Sequence, residues 1–168
     1  MSDQPTSDLP RTDLPTTNLP IIQLRRIEAN IIRPIYEELV RELGRAKARE
    51  IIGRAVIRNA IEHGRNLAEQ GSGANDIAGF AGLLPNWQKE DALEIEVLEQ
   101  SEARFHFNVT RCRYAEMYRD MGLAEIGDLL SCNRDGAFCE GYNPDIKLAR
   151  SQTIMSGASH CDFRYRRR

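Results

Sequence analysis

Apolar side chains recur at every third or fourth position through the first part of the chain, which is the spacing of one face of an α-helix. From Ile21 onward this pattern predicts core-facing helix, with a stripe made of Leu24, Ile27, Ile31, Ile35, Leu39 and Leu43. Pro34 cannot donate an internal helical hydrogen bond, so a kink or break is expected near Arg33 and would divide this helical stretch in two. Gly44 should end the second of these helices. A further helix is predicted from about Arg45 to Glu69, burying Ile52, Val56, Ala60 and Leu67.

Beyond Ala92 the hydrophobic period changes to two, which is typical of β-strands. Two such runs, Leu93 to Val97 and Phe105 to Val109, flank a turn at residues 100–102 and predict a β-hairpin. Short helices are predicted at Cys112–Met121 and at about Ala124–Ser131, and the closing strands at Ile146–Ile154 and His160–Arg167, joined by a turn at residues 155–159. The expected fold is therefore α+β, with an N-terminal helical layer packed on a four-stranded antiparallel sheet and short helices inserted between two hairpins.

The chain divides by composition into an arm and one domain. Residues 1–20 repeat a Leu-Pro pair every five positions, which excludes a regular helix there and predicts a flexible Pro-rich arm, or alternatively an extended segment lying across a neighbouring subunit. Residues 21–168 are predicted to form a single α+β domain, made of a helical part (21–70), a Gly-rich connection (71–91) and a sheet-forming, cysteine-bearing half (92–168). The Gly-rich connection suits either a lid over a ligand pocket or a plain linker.

Composition and charge narrow the class of protein. Hydrophobic residues make up 41% and charged residues 29% of the chain, as in ordinary globular domains. A net charge of −2 argues against a nucleic-acid partner, although the arginines at 164 and 166–168 suit either an anionic surface or a solvated strand end. No membrane-spanning run or secretory signal is present, so we expect a cytoplasmic protein without a membrane partner. The isoleucine stripes are long enough to pack against a second copy, which leaves a homo-oligomer open.

Two cysteine–carboxylate pairs are candidates for chemistry. Cys112 and Glu116 lie four residues apart at a helix start, where partial positive charge favours a thiolate, although a small buried thiol anchoring the helix explains Cys112 equally well. Cys132 and Asp135 lie where a helix is predicted to give way to a turn. Partial exposure suits a reactive cysteine, and Asp135 can accept a proton, orient a water or hold a cationic amidine. Alternatively, Asp135 belongs to the turn and Cys132 packs in the core.

Other polar residues are more ambiguous. In the last strand, alternation places Cys161 on an aromatic face and His160 and Asp162 on the opposite face, where they form either an acid–base pair or a solvated edge. Asn59 and His63, four residues apart on a helix, suit a satisfied core pair or an active-site role. The cysteine spacing lacks any Cys-x-x-Cys pair and no nucleotide-binding motif occurs, so neither a metal nor a cofactor is predicted.

Four blocks in the C-terminal half carry a family resemblance. They are Cys112-x-Tyr114-Ala115-Glu116-Met117-Tyr118, Met121-Gly122-Leu123-Ala124-Glu125-Ile126-Gly127, Leu130-Ser131-Cys132-Asn133-Arg134-Asp135 and Cys161-Asp162-Phe163-Arg164-Tyr165. In order and spacing they resemble the L-2-amino-thiazoline-4-carboxylic acid hydrolase family, over roughly residues 92–168. The resemblance implies hydrolysis of a carbon–nitrogen bond other than a peptide bond in a small cyclic amidine or amide, by attack of a thiolate or an activated water.

The resemblance also assigns roles to the candidate residues. Cys132, Asp135, Cys112 and Glu116 become the expected catalytic residues, and Cys161, Asp162 and Arg134 the expected substrate-binding residues. His160 lies outside the blocks and is added to the expected substrate-binding residues because it pairs with Asp162 in the strand. An arginine such as Arg111, Arg134 or Arg150 would pair with a substrate carboxylate. The competing hypothesis is a non-catalytic small-molecule-binding or sensory module of similar fold, because fold alone does not decide function.

Overall fold

Two long helices form the N-terminal layer. The computed structural model describes residues 19–71 and 73–168, so the predicted arm lies almost entirely outside the described residues. Helix α1 runs from Ile21 to Leu43 and α2 from Arg45 to Gln70. They are separated by Gly44, whose φ of 79° lies in the left-handed region that glycine adopts most readily. The predicted end of the first helical part at this glycine is confirmed.

Helix α1 corrects two sequence expectations. The expected break near Arg33 does not occur, because burial on both sides of Pro34, at Ala29 and Tyr36, outweighs one missing hydrogen bond. A kink at this proline stays a prediction. The predicted core stripe of α1 is also wrong: Ile31 is 62% exposed, and Ile27, Ile35 and Leu43 are exposed as well. The buried face instead carries Ile22, Arg25, Ala29 and Tyr36. Both polar residues on that face bind a carboxylate: the Tyr36 hydroxyl donates to Glu125 Oε1 at 2.6 Å, and Arg25 Nη1 donates to Glu28.

Helix α2 packs on a later helix, α6, which runs from Asn133 to Tyr142. Ile52, Val56 and Ala60 are buried, as predicted. Where the two helices cross, glycines allow their backbones to touch: a Cβ added at Gly64 would lie 2.1 Å from the Phe138 carbonyl oxygen, and one added at Gly141 would lie 1.8 Å from the Ile61 oxygen. These glycines therefore hold α6 close against the N-terminal layer.

The sheet has four strands in the order β1-β2-β4-β3, and every neighbouring pair is antiparallel. The strands span Leu93–Gln100 (β1), Arg104–Cys112 (β2), Ile146–Ala149 (β3) and Cys161–Arg167 (β4). Strand β3 is shorter than predicted, because the amides of Ser151 and Gln152 donate to the Asp162 carboxylate instead of to the backbone of a paired strand. A single 3₁₀ turn, Ile154–Ser156, then leads towards β4. The predicted α+β architecture is confirmed.

Shorter helices connect the layers. Helices α3 (Ile77–Leu83) and α4 (Pro85–Gln88) lie in the predicted Gly-rich connection, followed by a 3₁₀ turn at Lys89–Asp91. Helix α5 covers Arg113–Asp120. The turn predicted around Cys132 is wrong, because a π-helical turn at Asp128–Cys132 runs directly into α6. Burial of Phe138 and Tyr142 on α6 explains why the turn-forming residues before them stay helical. Among the described residues, no helix has the length and apolarity needed to cross a membrane.

Candidate active site

A small pocket of about 120 Å³ lies between the helical layer and the inner face of the sheet. Its walls are mainly apolar and aromatic, and include Phe80, Leu84, Trp87, Phe107, Val109, Phe138, Phe163 and Tyr165. The polar lining residues are few: Arg25, His63, Tyr114, Ser131, Arg134, Asp135 and Arg150, together with three cysteines. A mainly apolar cavity with a few convergent polar groups is the usual form of a small-molecule site.

Asp135 is the carboxylate of the pocket. It lies in the first turn of α6, and its Oδ2 accepts a hydrogen bond from Arg150 Nη1 at 2.5 Å. The second Arg150 nitrogen donates to the Cys132 carbonyl at 3.0 Å, and its guanidinium lies 4.9 Å from the Phe163 ring centre. Burial raises the pKa of Asp135, while Arg150 opposes that rise. Within the described residues, Oδ1 of Asp135 has no hydrogen-bond partner, so it is available to a ligand or a water.

Three thiols line the same pocket: Cys112, Cys132 and Cys161. Burial raises the pKa of Cys132, and the nearby Asp135 carboxylate raises it further. Cys112 is the N-cap of α5, and backbone amides of that helix start do favour its thiolate, but burial outweighs them and raises its pKa to about 11. Burial also raises the pKa of Cys161. Of the two interpretations of Cys112, burial favours the small thiol that anchors the helix, and the raised pKa values favour the protonated form of all three pocket thiols at neutral pH.

A second cationic group comes from α1 and α6. Arg25 is only 8% exposed and donates through Nη1 to both oxygens of Glu28, at 2.7 and 2.8 Å. Arg134 is held by the Leu130 carbonyl at 2.9 Å, by Asn59 at 2.9 Å and by Glu28 at 3.5 Å. All three of its nitrogens are thus occupied, whereas Nε and Nη2 of Arg25 have no hydrogen-bond partner among residues 19–71 and 73–168. Arg25 is accordingly the better placed of the two to bind an anionic ligand group.

The predicted site residues separate into two groups. Cys132, Asp135, Cys112, Cys161 and Arg134 line the pocket together, as does Arg150. Glu116, His160 and Asp162 do not line it. Glu116 instead accepts from Arg111 Nε at 2.9 Å, and His160 lies against Gln152 and Ser159. The Asp162 carboxylate faces the segment after β3, where it accepts hydrogen bonds from Ser151 and Gln152.

Two further charged or polar residues line the pocket: Arg25, which sequence reasoning missed, and His63, for which the sequence left an active-site role open. Arg25 is the most important, and its only signal was a charged residue on the same helix face as Ile22 and Ala29. His63 lines the pocket, edge-on to Phe138 at 5.5 Å between ring centres, while Asn59 binds Arg134 instead. Burial lowers the pKa of His63, and Arg25 and Arg134 lower it further. Among the described residues, no three His, Cys, Asp or Glu side chains are grouped so that they could hold a metal ion.

The Gly-rich connection covers one side of the pocket. Phe80 of α3, together with Leu84 and Trp87 near α4, lines it, and the Tyr114 hydroxyl donates to the Trp87 carbonyl at 3.2 Å. The connection ends at Glu90 and Asp91, whose φ values of 60° and 54° lie in the left-handed region, which non-glycine residues rarely adopt. The prediction that this connection acts as a lid stays a prediction.

Comparisons with known proteins agree with the resemblance of the C-terminal blocks. A sequence profile described as L-2-amino-thiazoline-4-carboxylic acid hydrolase matches residues 24–165. No curated protein matches the chain. Solved structures that match include the phenol-responsive sensory domain of the transcription activator PoxR with phenol, at a TM-score of 0.49 and 14% sequence identity, covering 88% of this chain and 72% of that chain. Because the profile spans most of the sequence, the chain belongs to the L-2-amino-thiazoline-4-carboxylic acid hydrolase family.

Proposed function

We propose that this protein hydrolyses a carbon–nitrogen bond, other than a peptide bond, in a small cyclic amidine or amide that carries a carboxylate. The single observation that supports this most is the Asp135 carboxylate on the pocket wall, with one oxygen held by Arg150 and the other without a partner among the described residues. The name of the family points to a thiazoline carboxylate as the substrate. The pocket volume of about 120 Å³ suits a ligand of that small size.

Water is the nucleophile in this proposal, and Asp135 is the general base. Protonated thiols are poor nucleophiles, and all three pocket cysteines have a raised pKa because they are buried. The oxygen of the water bonds to the electrophilic amidine carbon, and the carbon–nitrogen bond breaks as the new carbonyl forms. Both protons of the water end on the departing nitrogen, one of them by way of Asp135 Oδ1.

Arg25 is the proposed partner of the substrate carboxylate. It is buried and lines the pocket, and Glu28 occupies only its Nη1. A carboxylate bound there would gain charge-assisted hydrogen bonds, and the ring would lie against the aromatic wall. The family-based assignment of Arg134 to substrate binding then becomes indirect, because Arg134 and Arg25 share Glu28.

The direct test is turnover of 2-amino-thiazoline-4-carboxylate, followed by mass spectrometry in ¹⁸O-labelled water. Asp135→Asn should lower kcat by at least about 100-fold, as for loss of a general base. Cys132→Ser should keep most of the activity. The matched control is Glu140→Gln, an exposed carboxylate on the same helix that does not line the pocket. Loss of turnover in Cys132→Ser with Asp135→Asn still active would refute water attack and favour a thiolate.

A second pair of variants tests the carboxylate partner. Arg25→Met should raise KM by roughly 10- to 150-fold, the equivalent of about 1.5–3 kcal/mol for a hydrogen bond to a charged group. Arg26→Met changes the exposed neighbour and serves as its control. Equal KM values for the two variants would contradict the assignment of Arg25.

A second candidate function is a non-catalytic binding or sensory module. The observation that favours it is that the pocket walls are mainly apolar and aromatic, which suits binding of a small ring without chemistry. Trp87 lines the pocket and is the only tryptophan, so its fluorescence reports ligand binding directly. Saturable quenching by the thiazoline without any turnover would favour this candidate over the hydrolase.

A further inference from the structure

The segment that follows β3 is attached to β4 by one carboxylate. Asp162 accepts hydrogen bonds from the Ser151 amide at 3.0 and 3.1 Å, from the Ser151 hydroxyl at 2.6 Å and from the Gln152 amide at 2.9 Å. Three donors on two consecutive residues therefore converge on a single side chain. Although burial alone would raise the pKa of Asp162, these hydrogen bonds lower it, so the acceptor stays ionised.

Arg150 immediately precedes these two residues, so its backbone position depends on the same attachment. Its side chain reaches into the pocket, where one nitrogen binds Asp135 and the other binds the Cys132 carbonyl. Its guanidinium lies over Phe163, the residue that follows Asp162 on β4. Strand alternation thus places the attachment point on the outer face of β4 and the ring under Arg150 on the inner face.

We infer that Asp162 is a positioning residue for the hydrolysis, which holds Arg150 against Asp135 by binding the backbone of Ser151 and Gln152. The inference rests on the proposed function, since it assigns Asp162 a role in the reaction of Asp135. Asp162 does not touch the substrate, because it does not line the pocket. It acts by keeping Arg150 in place, and the positive charge of Arg150 stabilises the ionised form of Asp135.

The consequence of removing Asp162 follows from the surroundings of Asp135. Arg150 is the largest favourable influence on its carboxylate, followed by the more distant Arg25 and Arg134. Asp135 also interacts with Cys112, Tyr114, Cys132, Cys139, Cys161 and Tyr165, from β2, α5, the π-helical turn, α6 and β4. None of these stabilises a carboxylate by carrying positive charge. Displacement of Arg150 must therefore raise the pKa of Asp135 further and disfavour its ionised form.

The test compares the pH dependence of kcat/KM in the full chain. Asp162→Ala should shift the acid limb of the profile to higher pH and lower kcat/KM at neutral pH by up to about 100-fold. Asp162→Asn keeps one acceptor oxygen and should give an intermediate shift. Thr153→Ala is the matched control, because Thr153 accepts from the Ser156 amide at 3.1 Å in the same connection but does not hold Ser151 or Gln152. That variant should leave the acid limb unmoved.

A double-variant cycle separates positioning of Arg150 from a general structural effect. Arg150→Met should shift the acid limb in the same direction, and adding Asp162→Ala should shift it no further. An additive shift in the double variant, or a profile unmoved by Asp162→Ala in a folded protein, would overturn the inference.

Direct titration of Asp135 by ¹³C NMR of the free protein needs no turnover. If the unmodified protein shows no turnover, the hydrolase proposal is refuted. A raised pKa of Asp135 in Asp162→Ala would still support the role of Asp162 in holding Arg150. An unchanged titration would refute that role.

Discussion

Replacement of Gly141 by alanine tests the close crossing of α2 and α6. The new Cβ would lie 1.8 Å from the Ile61 carbonyl oxygen and 2.8 Å from the Arg65 amide nitrogen. Both are backbone atoms of a helix, so no side-chain rotation relieves the clash and the helices must move apart. Alanine gains about 1 kcal/mol over glycine in helix propensity, whereas overpacking costs about 1–3 kcal/mol or more. Since the contact here is with rigid backbone, we expect Gly141→Ala to destabilise the protein by about 2 kcal/mol net.

Gly136 provides a control on the same helix, because a Cβ there would have no atom within 4 Å. Gly136→Ala should therefore stabilise the protein by roughly 0.5–1 kcal/mol. The assay is urea denaturation followed by circular dichroism, with comparison of midpoints at equal slope. Equal stability of Gly141→Ala and Gly136→Ala would refute the close crossing, and with it the account of how α6 carries Asp135 to the pocket.

Three further outcomes are expected. Ile31→Gln should change the free energy of unfolding by less than about 0.5 kcal/mol, whereas Ile52→Ala should lower it by about 2–5 kcal/mol, because only Ile52 is buried. Equal losses of stability in urea titrations would show that Ile31 is a core residue after all. The four native cysteines should resist iodoacetamide near neutral pH and react on unfolding, as mass spectrometry would show, since burial raises each thiol pKa. Because burial raises the pKa of Asp135 above 3.8, the native state binds the proton of Asp135 more tightly than the unfolded state does. The contribution of Asp135 to stability should therefore fall as the pH rises from about that value. Denaturation at several pH values should show a weaker dependence of the unfolding free energy on pH in Asp135→Asn.

Much of the candidate site could be predicted from residue types and their order. Cys112, Cys132, Asp135 and Cys161 belong to three separate sequence blocks, and they line one pocket. Glu116 was selected because it lies four residues from Cys112 on a helix, but Arg111 binds it elsewhere. Sequence spacing defines which side chains share a helix face, yet not whether that face meets the pocket.

Arg25 shows the opposite limitation. Its contribution depends on α1 lying close enough to α6 for Glu28 to bind both Arg25 and Arg134. No local pattern encodes a contact between residues more than a hundred positions apart. The chemical state of the thiols has the same origin: the helix start favours a Cys112 thiolate, and only burial by distant elements makes the opposite effect dominate.

The sequence alone is enough to predict the α+β class, the helical nature of residues 21–70 with a division at Gly44, the hairpin of β1 and β2, and the inward face of the last strand. These follow from local periodicity and turn chemistry, which short stretches of chain carry in full. Other features depend on the packing of distant elements: which face of α1 is buried, the helical state of the segment around Cys132 and Asp135, and the contact of Arg150 with Asp135. Each of these depends on which of several locally equivalent arrangements buries the most apolar surface while leaving every buried charge with a partner.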